Sequence, residues 1–389
     1  MNIKTLIETR KFFLKLLSFV LSTCLLTFTF FGHSSAQTKE PYVIGAVLSL
    51  SGPVAANGVP TRDGIQLALD QINASGGING RPVKIIFEDD QSKPDQAVIL
   101  ANKLISQDKI SILLGASFGS TANAVASVAE KFKVPQLAAT AWTKADLRLV
   151  PYTFYFLVDF ETVVDQMLTY ATKDLGAKKI GFLRLTREYG QVASESLYKL
   201  KDKHGVEVVR EEKGNDPDTD FTAQLANIRA AKPDVLISWF ANPAGAISVK
   251  NARQLGLNIP IIGPVSMATR PMITAGGPAA EGVILQSFIA SDDPLPRQKA
   301  FVDAFNKKYG KLPEVFESVG FDMAQVAFSA LAKAGGDTPD PQKLRNEIER
   351  TSYDGVALII RYSPKVHEPD AKSILFTKVQ KGKFVRAVQ

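Results

Sequence analysis

Short hydrophobic runs alternate with stretches of helical periodicity along most of this 389-residue chain, and this alternation constrains the fold more than any other feature. Val43–Leu48 is an apolar run typical of a buried strand. Arg62–Asn73 repeats apolar residues at Ile65, Leu69 and Ile72, a spacing typical of a helix that buries one face. Strand, helix and strand in succession form a crossover between parallel strands. Because the pattern occurs first over residues 43–138 and again over residues 160–262, it predicts an α/β protein with two doubly wound lobes.

The same periodicity places the individual elements. In the first series the predicted strands are Val43–Leu48, Val83–Phe87, Ile110–Leu114 and Val134–Ala138, and the predicted helices are Arg62–Asn73, Pro94–Gln107 and Ser120–Phe132. In the second series the helices are Thr162–Leu175, Val192–His204, Thr219–Ala231 and Ala244–Leu255, and the strands are Ile180–Leu183, Val206–Arg210, Val235–Trp239 and Ile259–Ile262. The remaining elements are a strand at Val283–Gln286, helices at Arg297–Tyr309, Ser318–Ala334 and Pro341–Arg350, and strands at Val356–Arg361, Ile374–Val379 and Phe384–Val388.

The first 36 residues have the composition of a secretory signal peptide. Four basic residues precede an uncharged run over residues 16–31, and Ser34-Ser35-Ala36 then places small residues where a signal peptidase cuts. We expect cleavage after Ala36. An uncleaved membrane anchor is an alternative, because the run is of marginal length for a bilayer. Lipidation at Cys24 is a second alternative, which the bulky Thr23 and the apolar residues beyond Cys24 disfavour.

Composition narrows the functional classes. A chain that is 45% hydrophobic and 22% charged is neither disordered nor a polytopic membrane protein. Of the 46 basic and 39 acidic residues, four basic residues and Glu8 lie in the predicted signal, so the net charge falls from +7 to +4 in the mature chain. The basic residues are scattered among acidic ones, which argues against nucleic-acid binding. Removal of Cys24 and His33 leaves only His204 and His367 and no thiol, so we expect no metal site and no disulfide.

One motif suggests an enzyme. Residues 115–119 match the G-x-S-x-G pattern of serine hydrolases, with Ser117 as nucleophile. His204 or His367 would have to act as the base, but both lie in polar segments and are expected to be solvated. The same Gly-rich turn could instead hold an anion at a helix N-terminus, aided by the hydroxyls of Ser120 and Thr121, or Ser120 could simply cap the helix. We therefore predict that the chain is not an enzyme.

An ordered set of short motifs runs through the chain. Each alone is only a turn or a helix fragment, but from Ile44 to Lys103 they occur in the order Leu50-Ser51-Gly52-Pro53, Gly58, Gly64, Leu67-Ala68, Ile72-Asn73, Gly76-Gly77-Ile78-Asn79-Gly80-Arg81-Pro82, Asp89-Asp90 and Ala97…Ala101-Asn102. The set continues with Gly115, Tyr189-Gly190, Asp220-Phe221, Pro233-Asp234, Gly256-Leu257, Gly263-Pro264 and Ala280-Glu281-Gly282. In this order the chain resembles the periplasmic substrate-binding proteins of branched-chain amino acid ABC importers, over nearly the whole mature sequence.

The resemblance implies a type I periplasmic binding fold, with two Rossmann-like lobes joined by a three-crossover hinge around a ligand cleft. We expect lobe 1 to comprise residues 37–158 and 287–352, and lobe 2 residues 159–286 and 353–389. The implied role is that of a monomeric, periplasmic substrate-binding component of an ABC importer. Such a protein captures a small carboxylate-bearing solute by closure of its lobes and is read by the permease subunits in the membrane. The resemblance implies no cofactor.

The resemblance also implies ligand-binding positions in both lobes. Asn57 would lie in the pocket for the ligand side chain, and two first-lobe loops would hold the ligand carboxylate through N–H groups and hydroxyls. The residues of these loops are Phe118, Gly119, Ser120 and Thr121 in the first and Ala139, Ala141 and Trp142 in the second. The expected contacts from elsewhere in the chain are Tyr189, which is the clearest match, Trp239, Asn242 and Phe321.

Val265 departs from the family pattern. It follows Gly263-Pro264, where amino acid binders usually have a carboxylate for the ligand ammonium group. An ammonium without a partner in a closed cleft costs on the order of several kcal/mol. Asp159 could supply the charge instead, although a helix cap or a hinge residue is an equal interpretation of it. Val265, together with the aromatic Phe118 and Trp142, leaves open an aromatic or other non-amino carboxylate, or an amide, as the ligand. A ligand-sensing module for a membrane receptor is a further alternative.

Overall fold

The structure is a computed structural model that describes residues 2–3, 7–14, 39–141, 150–215, 218–336 and 338–387. The chain divides into two units, Met1–Lys39 and Glu40–Gln389. In the first unit residues 7–14 are helical, while Cys24, the uncharged run over residues 16–31 and the expected cut after Ala36 lie outside the described residues. Among the described helices, none combines the length and the apolar character that a membrane span requires.

The first sheet of the second unit has five parallel strands in the order β2-β1-β3-β4-β5. Their bounds are β1 Tyr42–Leu48, β2 Val83–Asp89, β3 Leu113–Gly115, β4 Gln136–Ala141 and β5 Thr153–Leu157, and the intervening helices are α1 Ala55–Ala74, α2 Pro94–Ser106 and α3 Gly119–Phe132. Side chains alternate along β1: Ile44 packs in a cluster with Ile65 of α1, and Val47 packs in another with Val125 of α3. Both faces of the sheet are therefore covered by helices.

The second sheet has seven strands in the order β14-β13-β10-β9-β8-β6-β7. The strands are β6 Lys179–Leu185, β7 Glu207–Gly214, β8 Val235–Trp239, β9 Ile261–Gly263, β10 Ile284–Ser287, β13 Leu375–Gln380 and β14 Lys383–Arg386, and the helices are α4 Phe160–Lys173, α5 Glu188–Leu200, α6 Thr222–Ala230, α7 Ala244–Gln254 and α8 Arg270–Gly276. Strands β6 to β10 pair in parallel, whereas β13 runs antiparallel to β10 and β14 antiparallel to β13.

Three segments of chain pass between the two sheets. They are residues 157–160 after β5, residues 287–296 after β10, and residues 349–375. Between the second and third crossings the chain forms α9 Pro296–Tyr309, α10 Val315–Ala334 and α11 Pro341–Glu349, and α10 packs closely along α1 of the first lobe. The predicted fold, two doubly wound lobes joined by three crossovers, is confirmed.

The third crossing is tied to the first lobe by one buried carboxylate. Asp322 of α10 is fully buried and accepts four hydrogen bonds from the segment around the hairpin β11 Ser352–Asp354 and β12 Ile359–Arg361. The donors are the Tyr353 hydroxyl at 3.0 Å and the N–H groups of Val356, Ala357 and Leu358 at 2.9, 2.8 and 2.8 Å.

His367, in the same crossing, is 2% exposed, so the expectation of a solvated histidine is wrong. Its ring stacks on Phe154 at 4.2 Å, and its Nδ1 lies 2.9 Å from the Thr153 carbonyl. Burial lowers its pKa. This packing joins the third crossing to β5.

Candidate functional site

Most of the predicted site residues lie at or just after the carboxyl ends of neighbouring parallel strands. In the first lobe these strands are β1, β3 and β4, and in the second they are β6, β8 and β9, which are neighbours in their sheet. Ligands of open α/β sheets bind in the crevice outside such strand ends. The sheet order therefore brings together side chains that are far apart in sequence.

In each lobe a glycine lets the helix that follows the first strand begin close against the end of that strand. A Cβ on Gly58 would lie 2.1 Å from the Ser49 carbonyl oxygen, and a Cβ on Gly190 would lie 2.0 Å from that of Leu185. Neither position tolerates a side chain without movement of the backbone. The residues just before these glycines, Asn57 and Tyr189, thus occupy equivalent places in the two lobes, and both are half-buried.

The N-terminus of α3 forms the first-lobe part of the site. Its N-cap is Phe118, whose carbonyl accepts the Ala122 N–H at 2.9 Å and the Thr121 hydroxyl at 2.9 Å. The interpretation of Ser120 as the helix cap is therefore wrong, and the Ser120 side chain is exposed. The preceding N–H groups, from Gly119 onward, have no acceptor within the helix, since the first turn of an α-helix has none. This end of α3 presents N–H donors, the Ser120 hydroxyl and the positive end of the helix dipole.

Ser117 has a structural role. It is 2% exposed, and its Oγ accepts the Ser49 N–H at 3.0 Å. Ser49 in turn donates its hydroxyl to Asp90 at 2.7 Å. His204 is bonded to Asp165 at 2.8 Å, so it is not a freely solvated group either. Neither histidine is placed as a base for Ser117, and the geometry does not support a serine hydrolase.

The end of β4 is only partly described. Ala139 and Ala141 are 1% and 4% exposed, and the Ala139 N–H donates to the Ala116 carbonyl at 3.1 Å. Trp142 lies outside the described residues. The side chains of the two alanines are buried in the sheet, so of these two residues only the backbone is suited to ligand contact.

Three aromatic side chains of the second lobe lie together at the strand ends and form a surface that we call the aromatic wall: Phe160, Tyr189 and Trp239. Tyr189 lies 5.6 Å from Phe160 and 5.5 Å from Trp239, measured between ring centroids. Trp239 is 1% exposed, and its indole N–H has no acceptor among the described residues. Phe160 and Tyr189 are half-buried and cover it. Trp239 therefore supports the wall from below, whereas Phe160, which the sequence did not suggest, is part of its surface.

Asn242 holds the loop after β9 in place. Its amide nitrogen donates to the Met267 carbonyl at 2.9 Å and lies 2.8 Å from the Thr269 hydroxyl, and its amide oxygen accepts the Ala246 N–H at 3.2 Å. These bonds fix the 3₁₀ turn Val265–Met267, in which Val265 is half-buried. Asn242 thus positions Val265 and Ser266 beside the aromatic wall.

Ser266 is a second residue that sequence reasoning missed. Its Oγ donates to the Phe240 carbonyl at 2.8 Å and lies 2.8 Å from the Tyr189 hydroxyl. The only signal in the sequence was its place directly after Val265.

The crossing segments supply two acidic groups. Asp159 caps α4 by accepting the Thr162 N–H at 3.0 Å, so the capping interpretation is observed. Glu368 lies within electrostatic range of Asp159: burial, reinforced by the Asp159 charge, raises the pKa of Glu368 to about 7. Its Oε2 is buried and has no partner among the described residues. Phe321 is 8% exposed and packs against Phe301 at 4.9 Å, so it belongs to the helix packing of α9 and α10.

Comparison with known proteins gives consistent matches. A family described as periplasmic binding protein matches residues 41–383. The chain is 26% identical to a leucine-, isoleucine-, valine-, threonine- and alanine-binding protein of Pseudomonas aeruginosa, over 82% of this chain and 85% of that protein. It is 28% identical to the Leu/Ile/Val-binding protein BraC3 of Rhizobium johnstonii, over 75% of this chain and 79% of that one.

Solved structures match over most of the chain as well. The substrate-binding protein LivJ of Streptococcus pneumoniae, solved with isoleucine, superimposes with a TM-score of 0.79 at 22% identity, covering 88% of this chain and 97% of that one. An extracellular ligand-binding receptor of Rhodopseudomonas palustris superimposes with a TM-score of 0.79 at 26% identity, covering 90% of this chain and all of that one.

Proposed function

The chain belongs to the periplasmic binding protein family, and from this premise we propose that it is the substrate-binding component of an ABC importer for an α-amino acid of the branched-chain type. The observation that supports the proposal most directly is that the two lobes present different chemical groups at their strand ends. The first lobe offers N–H and O–H donors at the start of α3, and the second offers an aromatic wall with hydroxyl oxygens at Tyr189 and Ser266. The names of the relatives that bind leucine, isoleucine and valine support the same ligand class.

The carboxylate of the ligand binds at the N-terminus of α3. The free N–H groups of a first helical turn and the helix dipole together favour an anion there. Ser120 adds an exposed hydroxyl donor. Thr121 serves indirectly, because its hydroxyl is directed to the Phe118 carbonyl and fixes the turn.

The ammonium group binds toward the crossing segments. Val265 offers no charge, so we propose Asp159 as the partner of the ammonium group. One oxygen of Asp159 caps α4, and the other is not used by the cap. The aliphatic side chain then lies near Asn57, Phe160 and Val265, all of which are half-buried. Trp142 remains a predicted further contact.

We propose a cycle of binding, closure and release without chemical change. A ligand that bridges both lobes stabilises the closed form because the open form makes only half of the contacts. Lobe 1 would comprise residues 37–158 and 287–352 and lobe 2 residues 159–286 and 353–389. The mature protein, cut after Ala36, would act as a monomer in the periplasm and deliver its ligand to permease subunits in the membrane.

A second candidate ligand is an aromatic or other carboxylate without an amino group, or an amide. Two observations favour it: Val265 is uncharged, and Phe160 and Tyr189 present ring surface beside it. An apolar or aromatic group would pack on this wall and need no counter-charge.

A thermal-shift screen of the purified protein tests the proposal. Leucine, isoleucine, valine, leucinamide and aromatic acids are compared, and a ligand present at 100 times its dissociation constant should stabilise the fold by about 2.7 kcal/mol. Tyr189→Ala should abolish the stabilisation. The matched control is Tyr198→Ala, because Tyr198 lies in the same helix but is 45% exposed, and it should respond as the unmodified protein does. A response to aromatic acids alone would favour the second candidate, and full affinity of Tyr189→Ala would contradict the placement of the cleft.

A further inference from the structure

A loop of the second lobe that belongs to the candidate site ends in a contact with the first lobe. Residues 265–269, which we call the cleft loop, follow β9 and lead directly into Arg270, the first residue of α8. The N–H of Arg270 donates to the carboxylate of Glu314. Helix α8 packs against α7 of the second lobe, whereas Glu314 immediately precedes α10, which packs along α1 of the first lobe. The bond therefore joins the two lobes, in addition to the three crossings of the chain.

Glu314 is held firmly in the first lobe. Its N–H donates to the carboxylate of Glu317 at 3.0 Å, in the first turn of α10. At this turn the helix touches α1, because a Cβ on Gly64 would lie 1.9 Å from the Glu317 carbonyl oxygen. The Glu314 side chain is 19% exposed, and a carboxylate that has lost much of its hydration needs donors from the protein. The position of the Glu314 carboxylate is thus set by the first lobe.

Arg270 is anchored on the other side of this bond. Its guanidinium group lies 3.0 Å from the carboxylate of Asp292, in the second crossing, and 5.6 Å from the ring centroid of Phe384 in β14. Asp292 also accepts the N–H of Phe384 at 2.9 Å. The side chain of Arg270 therefore belongs to the packing of the second lobe and its crossing, while its backbone N–H is directed to the first lobe.

The cleft loop is held from both lobes. From the second lobe, Asn242 bonds the Met267 carbonyl at 2.9 Å and the Thr269 hydroxyl at 2.8 Å. From the first lobe, Glu314 accepts the N–H of Arg270, the next residue. The first N–H group of a helix has no acceptor within the helix, so Glu314 satisfies a donor that α8 itself cannot. Movement of the lobes apart would break this bond and leave one end of the loop unsupported.

We propose that Glu314 is a positioning residue for ligand binding, which holds the cleft loop of the second lobe from the first lobe and so makes the affinity for the ligand depend on the arrangement of the lobes. The inference rests on the proposed function, in which Val265 of this loop lies near the side chain of the ligand, and deepens it. Glu314 acts through Arg270. Because coupling between two binding events is reciprocal, a ligand that orders the loop strengthens the bond between the lobes, and the bond strengthens ligand binding.

Dissociation constants for leucine, measured by calorimetry, test the inference. Glu314→Ala removes the acceptor and should weaken binding about tenfold, as expected for loss of one hydrogen bond to a charged group. Glu314→Gln retains an oxygen that accepts the N–H, so it should restore the affinity to within about threefold of the unmodified protein. Should Glu314→Ala fail to fold, Glu314→Asp, which keeps the charge but is shorter by one methylene group, should show the same loss.

The matched control is Asp340→Ala. Asp340 is also an acidic residue at the N-cap of a helix, since it precedes α11 and accepts the Lys343 N–H at 2.7 Å. The hydrogen bonds that the structure describes for its side chain stay within that helix. This variant should lower the stability, because it removes a helix cap, and leave the affinity for leucine unchanged.

Hydrogen exchange of residues 265–276, followed by mass spectrometry, reports on the loop directly. In the unmodified protein, leucine should slow exchange in this segment. In Glu314→Ala exchange should be faster and leucine should protect the segment less, whereas Asp340→Ala should behave as the unmodified protein does.

The outcomes separate the two proposals. If Glu314→Ala binds leucine as tightly as the unmodified protein, if Glu314→Gln loses as much affinity as Glu314→Ala, or if Asp340→Ala loses as much, the inference is wrong while the proposed ligand class stands. Unchanged exchange of residues 265–276 in Glu314→Ala would also overturn it. If the unmodified protein does not bind leucine, both the ligand class and this inference fail.

Discussion

Replacing Asp322 by alanine should destabilise the protein by about 4 kcal/mol, because this carboxylate satisfies three backbone N–H groups and one hydroxyl in the third crossing. A buried donor that loses its acceptor costs about 1–3 kcal/mol, so four of them give a gross loss of about 4–12 kcal/mol. The loss is offset by removal of a fully buried charge. Burial raises the pKa of Asp322 from 3.8 to about 6, which corresponds to about 3 kcal/mol at neutral pH. Water that enters the space left by the carboxylate reduces the loss further.

The raised pKa of Asp322 gives the prediction a second, independent part. A group whose folded pKa lies above its unfolded value contributes stability that is fully present below the unfolded pKa and is lost as the pH rises through the folded pKa. For Asp322 this window runs from about pH 4 to about pH 6. The destabilisation by Asp322→Ala should therefore be larger at pH 5 than at pH 8.

Urea unfolding at pH 5 and pH 8, followed by tryptophan fluorescence, measures both parts. Asp303→Ala is the control, because the Asp303 side chain is 62% exposed and, among the residues that the structure describes, it pairs only with the exposed Lys299. It should change the free energy of unfolding by less than about 0.5 kcal/mol. A loss for Asp322→Ala below about 1 kcal/mol at both pH values, or a larger loss at pH 8 than at pH 5, would refute the reasoning.

Further consequences concern pH, packing and loop geometry. Burial, reinforced by a neighbouring acidic charge, raises the pKa values of Glu314 and Glu368 to about 7. The stability of the fold should therefore fall as the pH rises from 5 to 8. In a thermal-shift series over this range, Glu368→Gln should make the stability less dependent on pH. Gly58→Ala forces a Cβ against the strand end and should weaken ligand binding at least about tenfold, as measured by calorimetry. The control is Gly76→Ala, because an added Cβ at Gly76 would have no atom within 4 Å. This control should cost only about 1 kcal/mol of stability and leave the affinity unchanged. Asn242→Asp replaces the hydrogen bond donated to the Met267 carbonyl by repulsion between two acceptor oxygens, while the Thr269 hydroxyl can donate to the carboxylate. The change should cost about 1–3 kcal/mol in urea unfolding; an unchanged midpoint would contradict the positioning role.

The lobes could be predicted from sequence because their signal is local. Val235–Trp239 was predicted with the bounds that the structure has, since a five-residue run with four apolar residues between polar segments is typical of a buried strand. Strand β5, Thr153–Leu157, was not predicted. It pairs in parallel with β4, but residues 142–152 between them carry no helical periodicity, so the strand–helix–strand rule gave no sign of it.

The candidate site was predicted from the family resemblance rather than from local patterns. Tyr189 was predicted because Tyr189-Gly190 matches the family pattern, and the structure places it at the start of the helix after a strand, beside a glycine that the close approach requires. Trp239 and Phe321 were expected to face the ligand, yet their sequence context does not reveal that one supports the wall from below and the other packs within helices. Ser266 was missed because its bonds join loops 26 and 77 residues away, and Glu368 because it meets Asp159 only when the crossings fold together.

The two lobes are built alike but present different chemistry at their strand ends. In each, a glycine allows the helix after the first strand to begin against the end of that strand and brings Asn57 or Tyr189 to the same relative place. The difference arises from what stands beside these residues. In the first lobe the start of α3 provides N–H donors, whereas in the second Tyr189 lies beside the ring of Phe160 and 2.8 Å from the Ser266 hydroxyl. Under the proposed function, a ligand with a carboxylate at one end and an apolar group at the other contacts both lobes in one orientation, and only such a ligand gains from both on closure. Since that differential gain drives the proposed closure, we expect the selection of the ligand and the closing motion to have the same physical origin.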